Sequence, residues 1–288
     1  MDRSINNREI RSKMAKETLE ILEQGYYIHT EGSKIVIENE IKEAIRASIL
    51  YSPDMLERLN SEIVTKIDRN ACTGGPIIEV TDESTLEASA RLVLAEKRNK
   101  SACLNFASAK NPGGGFLGGS QAQEESLARS SALYPCIAQM NEMYSYNRSL
   151  KTCLYSDYMI YSPDVVVFRE DKGNLLRQPY CISMITAPAV NAGVVREREP
   201  QNADQIVPIM TNRIRSILSI AALQGNSAIV LGAYGCGVFR NDPLEVARMF
   251  KQVILDEGYG SLFDKIVFAI LDKTAEKKIF NMFNQQLS

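Results

Sequence analysis

Residues 101–134 read SACLNFASAKNPGGGFLGGSQAQEESLARSSALY. The stretch begins with a short apolar run, which is typical of a strand that is buried on both faces of a sheet. Five of the seven residues 113–119 are glycine. The periodic pattern over 122–140 predicts a helix, with Pro135 as a kink or break. The stretch therefore predicts a strand, a bare loop and a helix in direct succession.

The same alternation of short apolar strands and amphipathic helices continues on both sides of this stretch. Strand patterns lie at 76–80, 164–170, 180–190, 227–233 and 265–271, and helical patterns lie at 85–99, 206–225, 243–258 and after the last strand. Such alternation predicts an α/β fold in which helices cover both faces of a largely parallel or mixed sheet. In sheets of this kind ligands bind outside the carboxyl ends of the strands.

The N-terminal part of the chain, before this alternation begins, has a different pattern of predicted elements. A helical pattern at 8–25 ends at a glycine, a hairpin turns at 31–33, and ENEIKEAIRASILY at 38–51 predicts a second amphipathic helix. The segment RNACTGGP at 69–76 interrupts regular structure with two glycines and a proline. We therefore predict an N-terminal helical extension over 1–75 and a separate α/β domain over 76–288, which carries both candidate site loops described below.

Composition narrows the class of protein. The 288 residues include 33 Lys and Arg against 35 Asp and Glu, so no bulk positive charge favours nucleic acid as a partner. The start has no apolar segment of a secretory signal, and no apolar run of about 20 residues suggests a membrane span. Six cysteines without a C-x-x-C pattern predict reduced thiols in a cytoplasmic protein. The single histidine, His29, argues against a histidine zinc site and is more often structural.

The glycine loop and the start of its helix carry the first candidate site. Glycine permits positive φ and close approach of a ligand to the backbone amides, which can cradle phosphate oxygens. Ser120 and Gln123 fit a capping box, which would place Glu124 and Glu125 in the first helical turn. Glutamates also occur at helix N-termini for electrostatic reasons alone, and glycines also form plain turns. The combination, with Asn105 and Asn111 nearby, favours a site.

A second glycine loop, GAYGCGVFRNDP at 232–243, follows another predicted strand. Asp242, Pro243 and Glu245 suit the N-cap, N1 and N3 positions of the next helix. Two such loops at one sheet edge can close around a diphosphate from both sides. Neither loop matches a Walker A or a dinucleotide-binding fingerprint. Phe239 either stacks on a base or sugar or belongs to the core.

These residues resemble a known family. The pattern GGG-x(7)-QEE at 113–125 is similar to the signature of poly(ADP-ribose) glycohydrolases. The fuller text at 104–134, with YSPDVVVFRED, ITAPAVNAG and LGAYGCGVFRNDP in order, resembles the microbial-type branch. Two positions differ from that pattern, because Tyr234 stands where tryptophan is usual and Val190 where proline is usual.

The resemblance implies a macrodomain-like three-layer α/β/α sandwich with a mixed central sheet. It implies hydrolysis of the ribose–ribose O-glycosidic bond of poly(ADP-ribose), with release of ADP-ribose and no required metal or cofactor. Glu125 would be the catalytic acid and base, and Glu124 would fix the adjacent ribose hydroxyls. The substrate-binding residues that it implies, by contact with ribose, diphosphate or base, are Asn105, Asn111, Gly113, Gly114, Gly115, Gln123, Gly235, Cys236, Gly237, Val238 and Phe239.

Two other classes of function use the same loops. A binding module would recognise ADP-ribose without cleaving it, but it needs no paired glutamates. A mono-ADP-ribosyl hydrolase, or an enzyme that handles NAD or a nucleotide sugar, would differ in substrate. The predicted partners are poly(ADP-ribose), ADP-ribose and ADP-ribosylated proteins, with no membrane or sequence-specific nucleic acid, and the predicted state is a monomer.

Overall fold

The computed structural model describes residues 3–67 and 75–287. Its strands, in chain order, are β1 Tyr26–Ile28, β2 Lys34–Val36, β3 Ile49–Tyr51, β4 Ile77–Thr81, β5 Ser101–Ala107, β6 Met159–Arg169, β7 Leu175–Pro188, β8 Ala228–Leu231 and β9 Lys265–Ala269. Its α-helices are α1 Arg3–Gln24, α2 Glu38–Ala47, α3 Pro53–Lys66, α4 Thr85–Ala90, α5 Gln123–Ser130, α6 Leu133–Ala138, α7 Asn141–Ser149, α8 Ala192–Arg198, α9 Ile206–Leu223, α10 Pro243–Lys251 and α11 Lys278–Leu287.

Seven strands form one mixed sheet in the order β3-β6-β7-β5-β8-β9-β4. The five strands β7, β5, β8, β9 and β4 run parallel to one another, whereas β6 pairs antiparallel with both β7 and β3. The carboxyl ends of the five parallel strands therefore lie along one edge of the sheet. Because β5 pairs directly with β8, the two glycine loops that follow these strands are neighbours.

Helices cover both faces of this sheet, as predicted. Alternation along β5 illustrates the two cores: Leu104 points into a layer with α3, α9, α10 and α11, and Cys103 points into the opposite layer with α2, α4, α6 and α7. Both side chains are fully buried. The fold is the predicted three-layer α/β/α sandwich.

The N-terminal region is helical, as predicted, with α1, α2 and α3 making up most of it, but it also supplies a strand to the central sheet. Gly25 ends α1 with φ of +74°, and a hairpin of β1 and β2 follows, as predicted. The predicted helix over 38–51 is wrong at its end, however, because Ile49–Tyr51 forms β3 on the edge of the central sheet. Most of the predicted boundary segment at 69–76, including Cys72, lies outside the described residues. A division after residue 75 remains a prediction.

Two local expectations about the helix over 122–140 are also wrong. The helix breaks at Ser131, where the backbone forms an isolated bridge to Val167, and Pro135 lies in the first turn of the next helix, where proline is tolerated. Ser120 does not cap α5, whose N-cap is the extended residue Ala122 without a side-chain hydrogen bond. The side chain of Gln123 instead reaches strand β5, as described below.

One helical segment within the described residues, Pro200–Leu223, passes the length and composition test for a membrane span. Of its most apolar window, 61% is buried inside the fold, and Ile214 and Ile217 lie in the core. The prediction that the sequence contains no apolar run long enough to span a membrane is therefore wrong as far as length and composition are concerned. In the tertiary structure, however, the segment is a core helix. The five cysteines within the described residues are unpaired thiols.

Candidate active site

The first glycine loop leaves β5 and folds back over the start of α5. Gly113 and Gly114 have φ of +70° and +59°, a region that disfavours side chains. A Cβ at Gly114 would lie 2.5 Å from Glu125 Oε1 and 3.2 Å from Glu124 Oε2. The carboxyl groups of Glu124 and Glu125 therefore both approach the backbone at Gly114. Glycine is required at this position because a side chain would clash with them and would also disfavour the positive φ.

Glu124 is buried behind this loop, with 3% of its surface exposed. Its Oε2 accepts a hydrogen bond of 2.7 Å from the Ser108 amide, and its Oε1 accepts a longer one of 3.4 Å from Asn105 Nδ2. Burial raises the pKa of Glu124 to about 8, with the Glu125 charge adding to the effect and the Ser108 amide opposing it. Glu124 is therefore mainly protonated at neutral pH.

Glu125 lies at the same helix start but is half-buried and faces the open space beyond the loop. The Gly115 amide donates a hydrogen bond of 3.0 Å to its Oε1. The loop thus sets the position of this carboxyl group, which can exchange a proton with a bound ligand.

Gln123 joins the helix start to strand β5. Its Oε1 accepts from the Phe106 amide at 2.9 Å, and its Nε2 donates to the Leu104 carbonyl at 2.7 Å and to Thr85 Oγ1 at 3.1 Å. The first residue of the QEE sequence therefore holds α5 against the sheet, so that the next two residues lie at the strand ends.

The second glycine loop forms the opposite wall. Asp242 caps α10 by accepting hydrogen bonds of 2.9 Å from the Leu244 and Glu245 amides, as predicted. The reciprocal half of the capping box is absent, because the Glu245 carboxylate lies 3.3 Å from Arg196. Asn241 Nδ2 ties the loop to the end of β7 through the Val190 carbonyl at 2.8 Å.

A cleft of about 520 Å³ lies between the two loops. The predicted site residues that line it are Gln123, Glu124, Glu125, Gly235, Cys236, Gly237, Val238 and Phe239. Asn105 lies buried behind Glu124, and Asn111, Gly113, Gly114 and Gly115 form the turn that holds the glutamates rather than the lining of the cleft. Burial raises the pKa of the Cys236 thiol to about 12, helped by the charge of Asp242, so this thiol is a poor nucleophile.

A side cavity of about 290 Å³ adjoins the cleft and shares six lining residues with it, including Phe106 and Gln123. Its own walls come from the segments after β4 and β9, from α5 and from the turn between β6 and β7, with acidic side chains at Glu83, Asp171 and Asp272. None of these residues was predicted as part of the site. The S-x-x-E pattern at Ser84, which forms a full capping box, was the available sequence signal for a helix start at this edge.

Within residues 3–67 and 75–287, no group of three or more His, Cys, Asp or Glu side chains could hold a metal ion. A family model described as the catalytic domain of microbial-type PARG, which stands for poly(ADP-ribose) glycohydrolase, matches residues 15–170. The chain belongs to the microbial-type PARG family.

Solved PARG structures support this assignment over most of the chain. The enzyme of Thermomonospora curvata, solved with the inhibitor ADP-HPD, is 38% identical, with 97% of this chain and 100% of that chain covered and a TM-score of 0.88. The enzyme of Deinococcus radiodurans, solved with ADP-ribose, is 41% identical, with 85% and 96% covered and a TM-score of 0.80. No curated protein sequence matches the chain.

The two departures from the PARG pattern support the loops from beneath. Tyr234 is fully buried, with its ring 5.9 Å from that of Phe106 and its hydroxyl without a partner in the described part of the chain. Val190 is also buried, and its amide, which a proline would lack, lies 3.3 Å from Met210 Sδ. Neither side chain lines the cleft.

Proposed function

We propose that this chain hydrolyses the ribose–ribose O-glycosidic bond of poly(ADP-ribose) and releases ADP-ribose. The observation that carries the proposal is the Glu125 carboxyl, which the Gly115 amide holds at 3.0 Å on the edge of a cleft between two glycine loops. Membership of the microbial-type PARG family, whose solved members include complexes with ADP-ribose, supports the same substrate.

The loops suit a diphosphate. Three successive amides, those of Gly237, Val238 and Phe239, donate no hydrogen bond within the described residues, and a Cβ at Gly237 would meet nothing within 4 Å. Successive free amides form a nest that binds phosphate oxygens. The acidic side cavity disfavours phosphate, so we assign it to the adenosine end, whose amino group is a hydrogen-bond donor. The distal ribose then lies towards Glu125.

Glu125 would act first as an acid and then as a base. It donates its proton to the leaving ribose oxygen as the bond from the anomeric carbon to that oxygen breaks. Positive charge develops on the sugar ring, and the diphosphate of the same ligand stabilises it. Water then adds to the anomeric carbon and returns a proton to Glu125. Phe239, which lines the cleft with its ring 6.0 Å from that of Tyr155, would pack against the ribose.

Glu124 would have a supporting role that its burial makes distinct from that of Glu125. Its carboxyl, protonated at neutral pH and hydrogen-bonded to the Ser108 amide at 2.7 Å, holds the start of the first loop. A protonated carboxyl can also donate to a ribose hydroxyl. Asn105, whose Nδ2 donates a hydrogen bond of 3.1 Å to Thr186 Oγ1, would orient the Glu124 carboxyl from the side away from the cleft.

The test is digestion of poly(ADP-ribose) on a purified automodified polymerase, with products separated by chain length. The unsubstituted protein should release ADP-ribose with a chelator present. Glu125→Gln keeps the shape but removes the exchangeable proton, so turnover should fall at least about 10²-fold, while the Kd for ADP-ribose changes little. Glu57→Gln, on the exposed surface of α3, is the control for the chemistry of the substitution and should keep full activity.

Each alternative gives a different result in these assays. ADP-ribose binding without any cleavage would establish a binding module. Removal of single ADP-ribose units from a protein, with the polymer left intact, would establish a mono-ADP-ribosyl hydrolase. Unchanged cleavage by Glu125→Gln would remove the assignment of Glu125 as the acid.

A further inference from the structure

The loop between Gly113 and the QEE sequence is held from outside by helix α1. Four consecutive carbonyl oxygens, those of residues 117–120, each accept a hydrogen bond from a side chain. Those of Leu117, Gly118 and Gly119 bind Ser12 Oγ at 2.8 Å, Arg8 Nε at 2.9 Å and Arg11 Nε at 2.8 Å, and that of Ser120 binds an Arg129 guanidinium nitrogen at 2.7 Å.

The contact between α1 and the loop is also close and partly apolar. Gly119 has φ of +75°, and a Cβ there would lie 2.1 Å from the Arg8 carbonyl oxygen, so only glycine lets the loop approach the helix. The Phe116 side chain, 1% exposed, packs against Ala15 and Leu19 of α1. The loop is therefore fastened at its apolar residue and at its next four carbonyls.

This fastened segment leads directly to the proposed acid. The amides of Gly118 and Ser120 both donate to the Gly115 carbonyl, at 3.1 and 3.2 Å. The amide of Gly115 in turn donates to Glu125 Oε1 at 3.0 Å. A displacement of residues 118–120 would therefore shift the peptide group that holds Glu125.

We propose that Arg8, Arg11 and Ser12 of α1 are positioning residues that act on Glu125 through the Gly115 peptide. The proposal rests on the proposed function, because it assigns these residues to the same reaction. It gives the N-terminal helix a role in catalysis as well as in folding. We name these three side chains the α1 clamp.

The decisive variant is Arg11→Ala combined with Ser12→Ala, which removes two of the three clamp bonds. Assayed well below its melting temperature, it should lower kcat on poly(ADP-ribose) about 5- to 20-fold, with the Kd for ADP-ribose changed less than about 3-fold. Hydrogen exchange of residues 113–120 should become faster. Lys13→Ala, whose side chain is exposed and pairs with Glu9 at 3.0 Å, is the control on the same helix and should match the unsubstituted protein.

Two further variants separate positioning from simple packing. The conservative pair Arg11→Lys with Ser12→Thr retains two donors and should recover most of kcat. In a Glu125→Gln background the alanine pair should lower kcat little further, because the effects of residues that act through one group are non-additive. The proposal would be overturned if the alanine pair lowered kcat by the same factor with and without the Glu125→Gln substitution. It would also be overturned if the alanine pair lowered the melting temperature but left kcat and hydrogen exchange unchanged.

The exchange measurement keeps the clamp testable apart from the proposed reaction. If the unsubstituted protein does not cleave the polymer, the proposed function fails. Faster exchange of residues 113–120 in the alanine pair would then still support the clamp, whereas unchanged exchange would overturn it.

Discussion

Replacing Glu124 by glutamine should change how the stability of the protein depends on pH. The folded protein holds the pKa of Glu124 at about 8 against an ordinary value of 4.5, chiefly because the carboxyl is buried. Between these two values the folded state binds the proton and the unfolded state does not. Stability that the neutral carboxyl provides is therefore fully present below about pH 4.5 and is lost as the pH rises towards 8.

The interval between the two pKa values gives the size of the effect. At about 1.36 kcal/mol per pH unit, it corresponds to a loss of at most about 5 kcal/mol in the free energy of unfolding. Glutamine has no ionisable group and can still accept the hydrogen bond from the Ser108 amide. The variant should therefore gain stability relative to the unsubstituted protein as the pH rises, by about 2 to 5 kcal/mol between pH 5 and 9.

Urea unfolding at several pH values, followed by circular dichroism, measures this difference directly. The unsubstituted protein, Glu124→Gln and the exposed control Glu57→Gln are compared in the same buffers, so that other titrating groups cancel. A difference between Glu124→Gln and the unsubstituted protein that stays within about 1 kcal/mol from pH 5 to 9 would refute the reasoning, since 1.36 kcal/mol is the effect of a single pH unit. The control should show no comparable change, because an exposed carboxylate loses little solvation on folding.

Three further predictions concern the loops and the ligand. Gly114→Ala places a methyl group 2.5 Å from Glu125 Oε1. It should lower turnover at least about 10-fold and reduce the free energy of unfolding by about 1–2 kcal/mol. The control Gly32→Ala, at a position with φ of +84° but open space around it, should show a similar loss of stability in urea and full turnover. ADP-ribose at about 100 times its Kd should stabilise the protein by about 2.7 kcal/mol, with and without EDTA; a shift that needs added metal in differential scanning fluorimetry would contradict this. Tyr234→Phe removes a buried hydroxyl without a hydrogen-bond partner and should change stability by less than about 1 kcal/mol in urea unfolding; a larger loss would mean that the hydroxyl is bonded in solution.

Short-range rules were reliable where one residue decides the backbone. Gly25 ends α1 with a positive φ, and Asp242 caps α10, because both effects depend only on adjacent residues. Ser120 fits the same kind of rule but fails, since Gln123 makes three hydrogen bonds to the sheet and to Thr85 instead of one to a helix start. Tertiary contacts outweigh a capping preference of about 1 kcal/mol.

The sequence by itself determined the alternation of strands and helices, the positions of both glycine loops and the place of Glu124 and Glu125 at the start of a helix. These follow from periodicity and from glycine and proline, which act over a few residues. Only the tertiary structure decided that Ile49–Tyr51 joins the central sheet, that Glu124 is buried and Glu125 open, and that Arg8, Arg11 and Ser12 hold the loop more than 100 residues away. Burial and pairing between distant segments decide these features, and no local pattern encodes either one.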